Sequence, residues 1–404
     1  MGRRFFIIAL LLFMTHDYPI VGYMTPPVVF LGEVLLVHLA ALLYFGADRY
    51  FSYFAKIFPL TLILILDITR SLFSDISSVY TGIYGYFQVV IYYIVGLYLF
   101  KTNDFKLAKI IAIFLLVFYA ITASTTYWGL SIFPEASRNM ARNMELMDAG
   151  LYGQYMRFNI GGFTFIYYMV ILIVLLVLLY KREILKRIWA ALLLVLFSLT
   201  IIRSQYTTGL IIGAFGLILL FVPKQFGAKN VARYLLISSI AILLFWSVLP
   251  SFFMYLSGIV EGGEVAMRFE DLSVALDAGT INTMDETSDL AGRAFYYQRS
   301  LDAIIRSFPL GTWNMHDIGG HSYILVSIAC YGLLGLIAVV VQFVRMFNLY
   351  IKPVKKCDWS GFLYLALLEV IVLALVNSLL FTAIIAFYVP LICVIINHKE
   401  AKRI

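Results

Sequence analysis

The residues with the most chemical promise fall in one stretch. Arg293, Tyr296, Tyr297, Arg299, Asp302 and Arg306 precede Pro309, and His316, His321 and Ser322 follow it. Arginine's planar fork grips phosphate or carboxylate through two parallel N–H groups, whereas lysine is a point charge. Histidine is the side chain most easily tuned to accept a proton near neutral pH. Together these types suit the holding of a phosphorylated or carboxylated ligand and the removal of a proton from a hydroxyl group.

Residues 292–306 read as a helix that ends before Pro309. On it Arg299 and Arg306 are seven apart and share a face with Asp302, so both are expected to pair with that carboxylate. Arg293 projects elsewhere, at the helix start beside Tyr296 and Tyr297, where free backbone N–H groups also favour an anion. His321 leads directly into an apolar run, and His316 competes with it from a weaker context. Arg203 ends another apolar run, within 200–209, and the next run begins at once. A charge at that depth needs an anionic partner or a water-filled cavity, unless it snorkels to the interface.

The elements that must position these groups are membrane helices. Apolar residues make up 62% of the 404-residue chain and charged residues 13%, against about 25% charged in a soluble domain. Runs long enough to cross a bilayer fall near 5–22, 26–45, 57–74, 84–100, 107–126, 162–180, 188–203, 209–223, 234–253, 321–344, 361–379 and 381–397. They are long and uninterrupted, unlike the short alternating segments of a β-barrel. The expected fold is an all-α polytopic membrane protein of about twelve spans, one domain over 1–404, with no internal repeat. The first run is interrupted by Thr15, His16 and Asp17, and is expected to be a retained helix because no small-x-small cleavage site follows it. Cys330, Cys357 and Cys393 are scattered in or beside apolar segments and suggest neither a disulfide nor a metal site.

Basic residues set the orientation. With the N-terminus inside, all thirteen lysines fall on the inner side. The outer side keeps arginine only: Arg70, Arg138, Arg142, Arg157, Arg203, Arg268, Arg293, Arg299 and Arg306. The net charge of +7 is therefore mostly a topology signal and gives no support to nucleic-acid binding. Two outer segments are too long for turns, a smaller one at 127–161 and a larger one at 254–320 between the ninth and tenth spans. The larger is acidic in its first half (Glu261, Glu264, Glu270, Asp271, Asp277, Asp285, Glu286, Asp289), then basic and aromatic. Ionisable residues also lie inside spans: Glu33, His38, Asp67, Arg70 and Glu369. They are functional candidates or interhelical pairs. The Gly209/Gly213 and Gly332/Gly335 pairs are expected at helix-packing contacts.

An arginine near an aromatic pair, then Pro-x-Gly (Pro309, Gly311), then His321-Ser322 with nine residues before Gly332, resembles the O-antigen ligase and polymerase superfamily (WaaL and Wzy). The span count and the large outer loop resemble it too. The chain departs from the pattern in reading Arg203-Ser204 where the family has Ser-Arg, and in following Gly311 with Thr312 and Trp313. The resemblance implies a glycosyltransferase at the outer face of a bacterial inner membrane, both termini cytoplasmic. Its donor would be a glycan on undecaprenyl diphosphate, and no metal or other cofactor would be needed. Arg203 and Arg293 would stabilise the departing diphosphate, and His321 would act as general base. Arg299, Tyr296, Tyr297, Ser322 and His316 would contact substrate. Partners implied are the bilayer, a chain-length regulator of the Wzz type and a flippase. Polymerisation into O-antigen, capsule or exopolysaccharide is the favoured activity. Transfer to lipid A–core is its sibling, and a flippase or other transporter the alternative from another class, although no echo between chain halves supports a carrier.

Overall fold

A computed structural model describes residues 2–74, 76–142, 149–259, 264–278, 289–377 and 382–401. Glu261, Asp285 and Glu286 of the large outer segment lie outside these described residues, as do Lys402 and Arg403 of the tail. All regular structure among them is helical. In chain order the helices are α1 (Gly2–Met14), α2 (Pro19–Met24), α3 (Pro27–Phe45), α4 (Ala47–Ile57), α5 (Leu62–Ser74), α6 (Ile76–Thr102), α7 (Phe105–Ile132), α8 (Ala136–Arg142), α9 (Ala149–Arg157) and α10 (Phe163–Lys181). There follow α11 (Arg187–Ser204), α12 (Thr207–Ile218), α13 (Ala228–Leu244), α14 (Leu249–Ile259), α15 (Glu264–Ala278), α16 (Asp289–Ser307), α17 (Tyr323–Met346), α18 (Ser360–Val376) and α19 (Thr382–Ala401).

Eight helical stretches among the described residues are long and apolar enough to cross a membrane. The remaining apolar runs form shorter helices, for local reasons. The first stops at Met14, where Thr15, His16 and Asp17 make a 3₁₀ turn. The run at 234–253 is divided between α13 and α14, with Pro250 at the start of α14, where its missing N–H costs nothing. Residues 209–223 give the 12-residue α12, and 361–379 the 17-residue α18.

α10 is the axis of the bundle. From Phe163 to Tyr180 it carries no charge, and a helix that is apolar on every face is buried on every face. It packs against α11, α12 and α18. Gly209 and Gly213 of α12 face Val170 and Ile173 of α10, so this pair does serve helix packing. α6 lies along α19 and α5.

One end of the bundle collects the ion pairs. Arg3 meets Asp104 at 2.8 Å, Lys224 meets Glu183 at 2.8 Å, and Arg182 pairs with Asp358 and Glu400. Lys181 donates to the carbonyls of Leu220 and Val222 just past α12, at 2.7 and 2.5 Å. These are carbonyls that a helix end leaves open. At the opposite end the segment 127–161 is fastened by uncharged bonds. Ser137 donates to the Gly161 carbonyl (3.0 Å), Gly161 N–H to Thr126 (2.7 Å), and Tyr206 to the Ser137 carbonyl (2.5 Å).

Polar groups within spans are mostly interhelical partners. His38 joins α4 through Tyr50 (2.5 Å) and α6 through the Phe87 carbonyl (2.9 Å), and His16 pairs with Glu33. Tyr331 of α17 donates to Asp67 and accepts from Arg70 Nε at 3.3 Å, so both charged groups of α5 converge on one phenol. Glu369 is buried, and its Oε2 has no hydrogen-bond partner among the described residues.

Gly332 does something other than helix packing. With φ 57° and ψ −131° it breaks α17, and the loop around Gly311 (φ 78°) fills the break. Thr312 N–H donates to the Ala329 carbonyl (3.0 Å), Trp313 N–H to Cys330 (2.9 Å), and Leu333 N–H to Pro309 (2.8 Å). A Cβ on Gly332 would lie 2.1 Å from the Pro309 oxygen, and one on Gly311 2.3 Å from the Cys330 oxygen. The two glycines are each other's reason.

Candidate functional site

α16 runs through residues 292–306 and ends two residues before Pro309, as its sequence predicts. Its inward face carries Ser300 and Ala303, both buried, and Tyr296 one turn before Ser300 stays exposed. Ser300, 1% exposed, donates to the Gly319 carbonyl at 2.9 Å. Gly319 lies so close to α16 that a Cβ would sit 1.9 Å from the Tyr296 carbonyl. That contact draws the segment before α17 against α16 and sets the His321 ring 4.7 Å from the Tyr296 ring.

Next to this pair, Tyr297 donates to the Val376 carbonyl at the end of α18 (3.3 Å). Tyr323 N–H donates to the Asn377 carbonyl (2.8 Å), so α16, α17 and α18 are tied at one point. Arg293 lies one turn before Tyr297 on the same face, and its charge acts on Tyr297 and on Tyr167 of α10. Burial pushes the Tyr297 phenol above its ordinary value, and the Arg293 charge opposes that.

Tyr167 marks the centre of the arrangement. It feels the charge of Arg268 of α15 as well as that of Arg293. Gln205 Oε1, Thr207 Oγ1 and Asn377 Nδ2 are buried here without a hydrogen-bond partner among the described residues. Two guanidinium groups, phenols and open amide and hydroxyl atoms can together hold an anionic, oxygen-rich ligand.

Other residues singled out in the sequence go elsewhere. Arg203 lies over the Tyr127 ring of α7 at 4.9 Å. Arg299 donates to the His316 carbonyl, and Arg306 Nε to the Asp302 carbonyl at 3.2 Å on its own helix. Among the described residues neither arginine pairs with the Asp302 carboxylate, because each finds a backbone oxygen nearer than that exposed side chain. Arg299 and Arg306 instead line a separate cavity of about 410 Å³ with Ser307 and Thr312. His316 is exposed in a 3₁₀ turn whose N–H is capped by Asn314 Oδ1 (3.0 Å). Ser322 is 1% exposed and caps α17, accepting from Leu325 N–H at 3.2 Å. Its hydroxyl is spent on the helix.

Arg268, Tyr167 and Asn377 were not legible as site residues. The available signal was a tyrosine pair in the first turns of an otherwise uninterrupted apolar run. Among the described residues no three His, Cys, Asp or Glu side chains converge as metal ligands. The chain matches no family model and no curated protein.

Proposed function

We propose that the protein is a membrane glycosyltransferase that polymerises oligosaccharide repeat units carried on undecaprenyl diphosphate, at the outer face of a bacterial inner membrane. In this reading twelve segments cross the bilayer, the lysine-rich end is cytoplasmic, and both termini lie there. The observation that carries it is His321 set against Tyr296 of α16, the helix from which the Arg293 charge acts on Tyr297 and, with Arg268, on Tyr167.

The chemistry follows from those groups. His321 takes the proton from an acceptor sugar hydroxyl, and that oxygen attacks the anomeric carbon of the donor. The bond from this carbon to the diphosphate oxygen breaks, and Arg293 and Arg268 stabilise the negative charge that departs. Arg203 enters only as an interfacial group beside Tyr127. Transfer to lipid A–core would use the same groups with another acceptor. A transport reading draws on the polar groups of α5 and α18, chiefly Asp67, Arg70 and Glu369.

Reconstitution with undecaprenyl-diphosphate repeat units as sole substrate tests the choice. A ladder of lipid-linked polymer that His321→Ala fails to make is the expected result. Transfer that requires added lipid A–core makes the protein a ligase. No product under either condition, with substrate moved across the bilayer, gives the case to transport.

A further inference from the structure

Beside Tyr168 of α10 lies a cavity of about 500 Å³ that the transfer chemistry does not use. Its walls come from the turn after α1 and from α6, α7, α10 and α19. Asp17, Gln88, Tyr92, Tyr119, Tyr168 and Tyr388 present polar atoms to it. Tyr92 donates to Asp17 Oδ2 at 2.8 Å, and Tyr388 donates to Tyr119 at 3.0 Å. Met140, Tyr152 and Met156 of the smaller outer segment form its roof. The cavity also touches Phe163 and Ala383, at the starts of α10 and α19, so it lies toward the outer end of the bundle.

We propose that this cavity binds a sugar of the acceptor glycan, its hydroxyls taken by Asp17 and the tyrosines and its C–H faces by the aromatic rings. The volume falls in the range of about 300–1,000 Å³ typical of small-molecule sites and is far too large for a single ion. The lining holds no arginine or lysine and does hold a carboxylate, so it repels a diphosphate rather than gripping one. A lipid chain gains nothing from the hydroxyls and carboxylate along the wall. A sugar presents hydroxyl edges and apolar faces in alternation, which matches a wall of phenols, one amide and one carboxylate. Tyr168 follows Tyr167 by one residue, about 100° around α10, and Phe163, whose ring meets that of Tyr167 edge-on at 4.6 Å, lines the cavity as well, so the two sites are neighbours along one helix.

The choice of an acceptor glycan as the ligand rests on the polymerase reading. The test uses the full chain in nanodiscs and the repeat-unit oligosaccharides released by mild acid from the source bacterium's surface polysaccharide. Saturation-transfer NMR reads binding, with choline as a second probe and polymer formation measured in parallel. The expected result is transfer to sugar protons that weakens about tenfold or more in Asp17→Asn, the loss of a bond to a charged group. Thr164→Trp, which fills the cavity from an exposed position on its wall, should abolish it. Polymer formed by the wild type without sugar transfer, or transfer that survives both substitutions, overturns the cavity assignment alone. Asp17-dependent binding of choline but not of sugar also overturns it. Asp17-dependent sugar binding by a wild type that makes no polymer leaves the cavity assigned and removes the polymerase reading. Neither signal removes both.

Discussion

The segments at 127–161 and 254–320 are fastened to the bundle by different residues. The smaller one, over 127–161, is stitched to the bundle by neutral side-chain and backbone bonds from Thr126, Ser137 and Tyr206, and it roofs a cavity free of cations. Both segments carry arginines, but it is Arg293 and Arg268 of the larger one whose charges act on Tyr297 and Tyr167, and its inner surface is α16, held against α17 and α18 by Ser300 and Tyr297. Neutral hydrogen bonds fix a shape without creating a field. Guanidinium groups near buried phenols create a field and tolerate some looseness in shape. In the proposed reading, the cavity that fits a sugar and the site that stabilises charge come from separate stretches of chain, and α10 lends residues to both.

The largest effects should come from breaking the charged side. Arg293→Ala and His321→Ala should each lower polymer formation by about a hundredfold or more, the scale of losing one charge-stabilising donor or a general base. The protein should still insert and accumulate, which immunoblotting of membranes checks. Polymer at normal levels from both would erase the distinction between the two segments. Arg268→Ala should reduce the rate by a smaller but clear factor, and more than Arg203→Ala does. Equal effects would mean that the Tyr127 contact, not Tyr167, marks the reacting end.

Structural substitutions sharpen the comparison further. Gly332→Ala should destabilise the detergent-solubilised protein by at least about 1–3 kcal/mol from backbone strain alone, read as a lower melting temperature. On the neutral side, Tyr206→Phe removes one buried bond to the Ser137 carbonyl and should cost about 1 kcal/mol. At the far end Lys224→Met should cost under about 1 kcal/mol, because its partner Glu183 is exposed with it.

Periodicity and length reveal the helices of this chain well, since a run such as 163–180 has no reading other than a buried apolar helix. Boundaries were harder. The run at 234–253 looks continuous to a hydropathy count, yet Pro250 makes a new helix start within it. α16 was legible because its polar and apolar positions repeat at helical spacing, whereas the contact of its Tyr296 with His321 is a matter of tertiary packing. Arg299 and Arg306 were misassigned because spacing on one helix says nothing of a carbonyl arriving from another segment, as at His316. Arg268 and Tyr167 escaped for the same reason, being a hundred residues apart and joined only by tertiary packing. Asp17 read as a flaw in the first apolar run, whereas it marks the wall of a cavity.

The break at Gly332 makes α17 a helix that is not self-sufficient. Within a hydrocarbon layer a backbone amide or carbonyl without a partner is severely penalised. α17 leaves the Ala329 and Cys330 carbonyls and the Leu333 amide to be satisfied from outside the helix, and residues 309–313 are what covers them. A loop and a helix that are separate in sequence are thus one hydrogen-bonded unit, and neither can shift without uncovering the other.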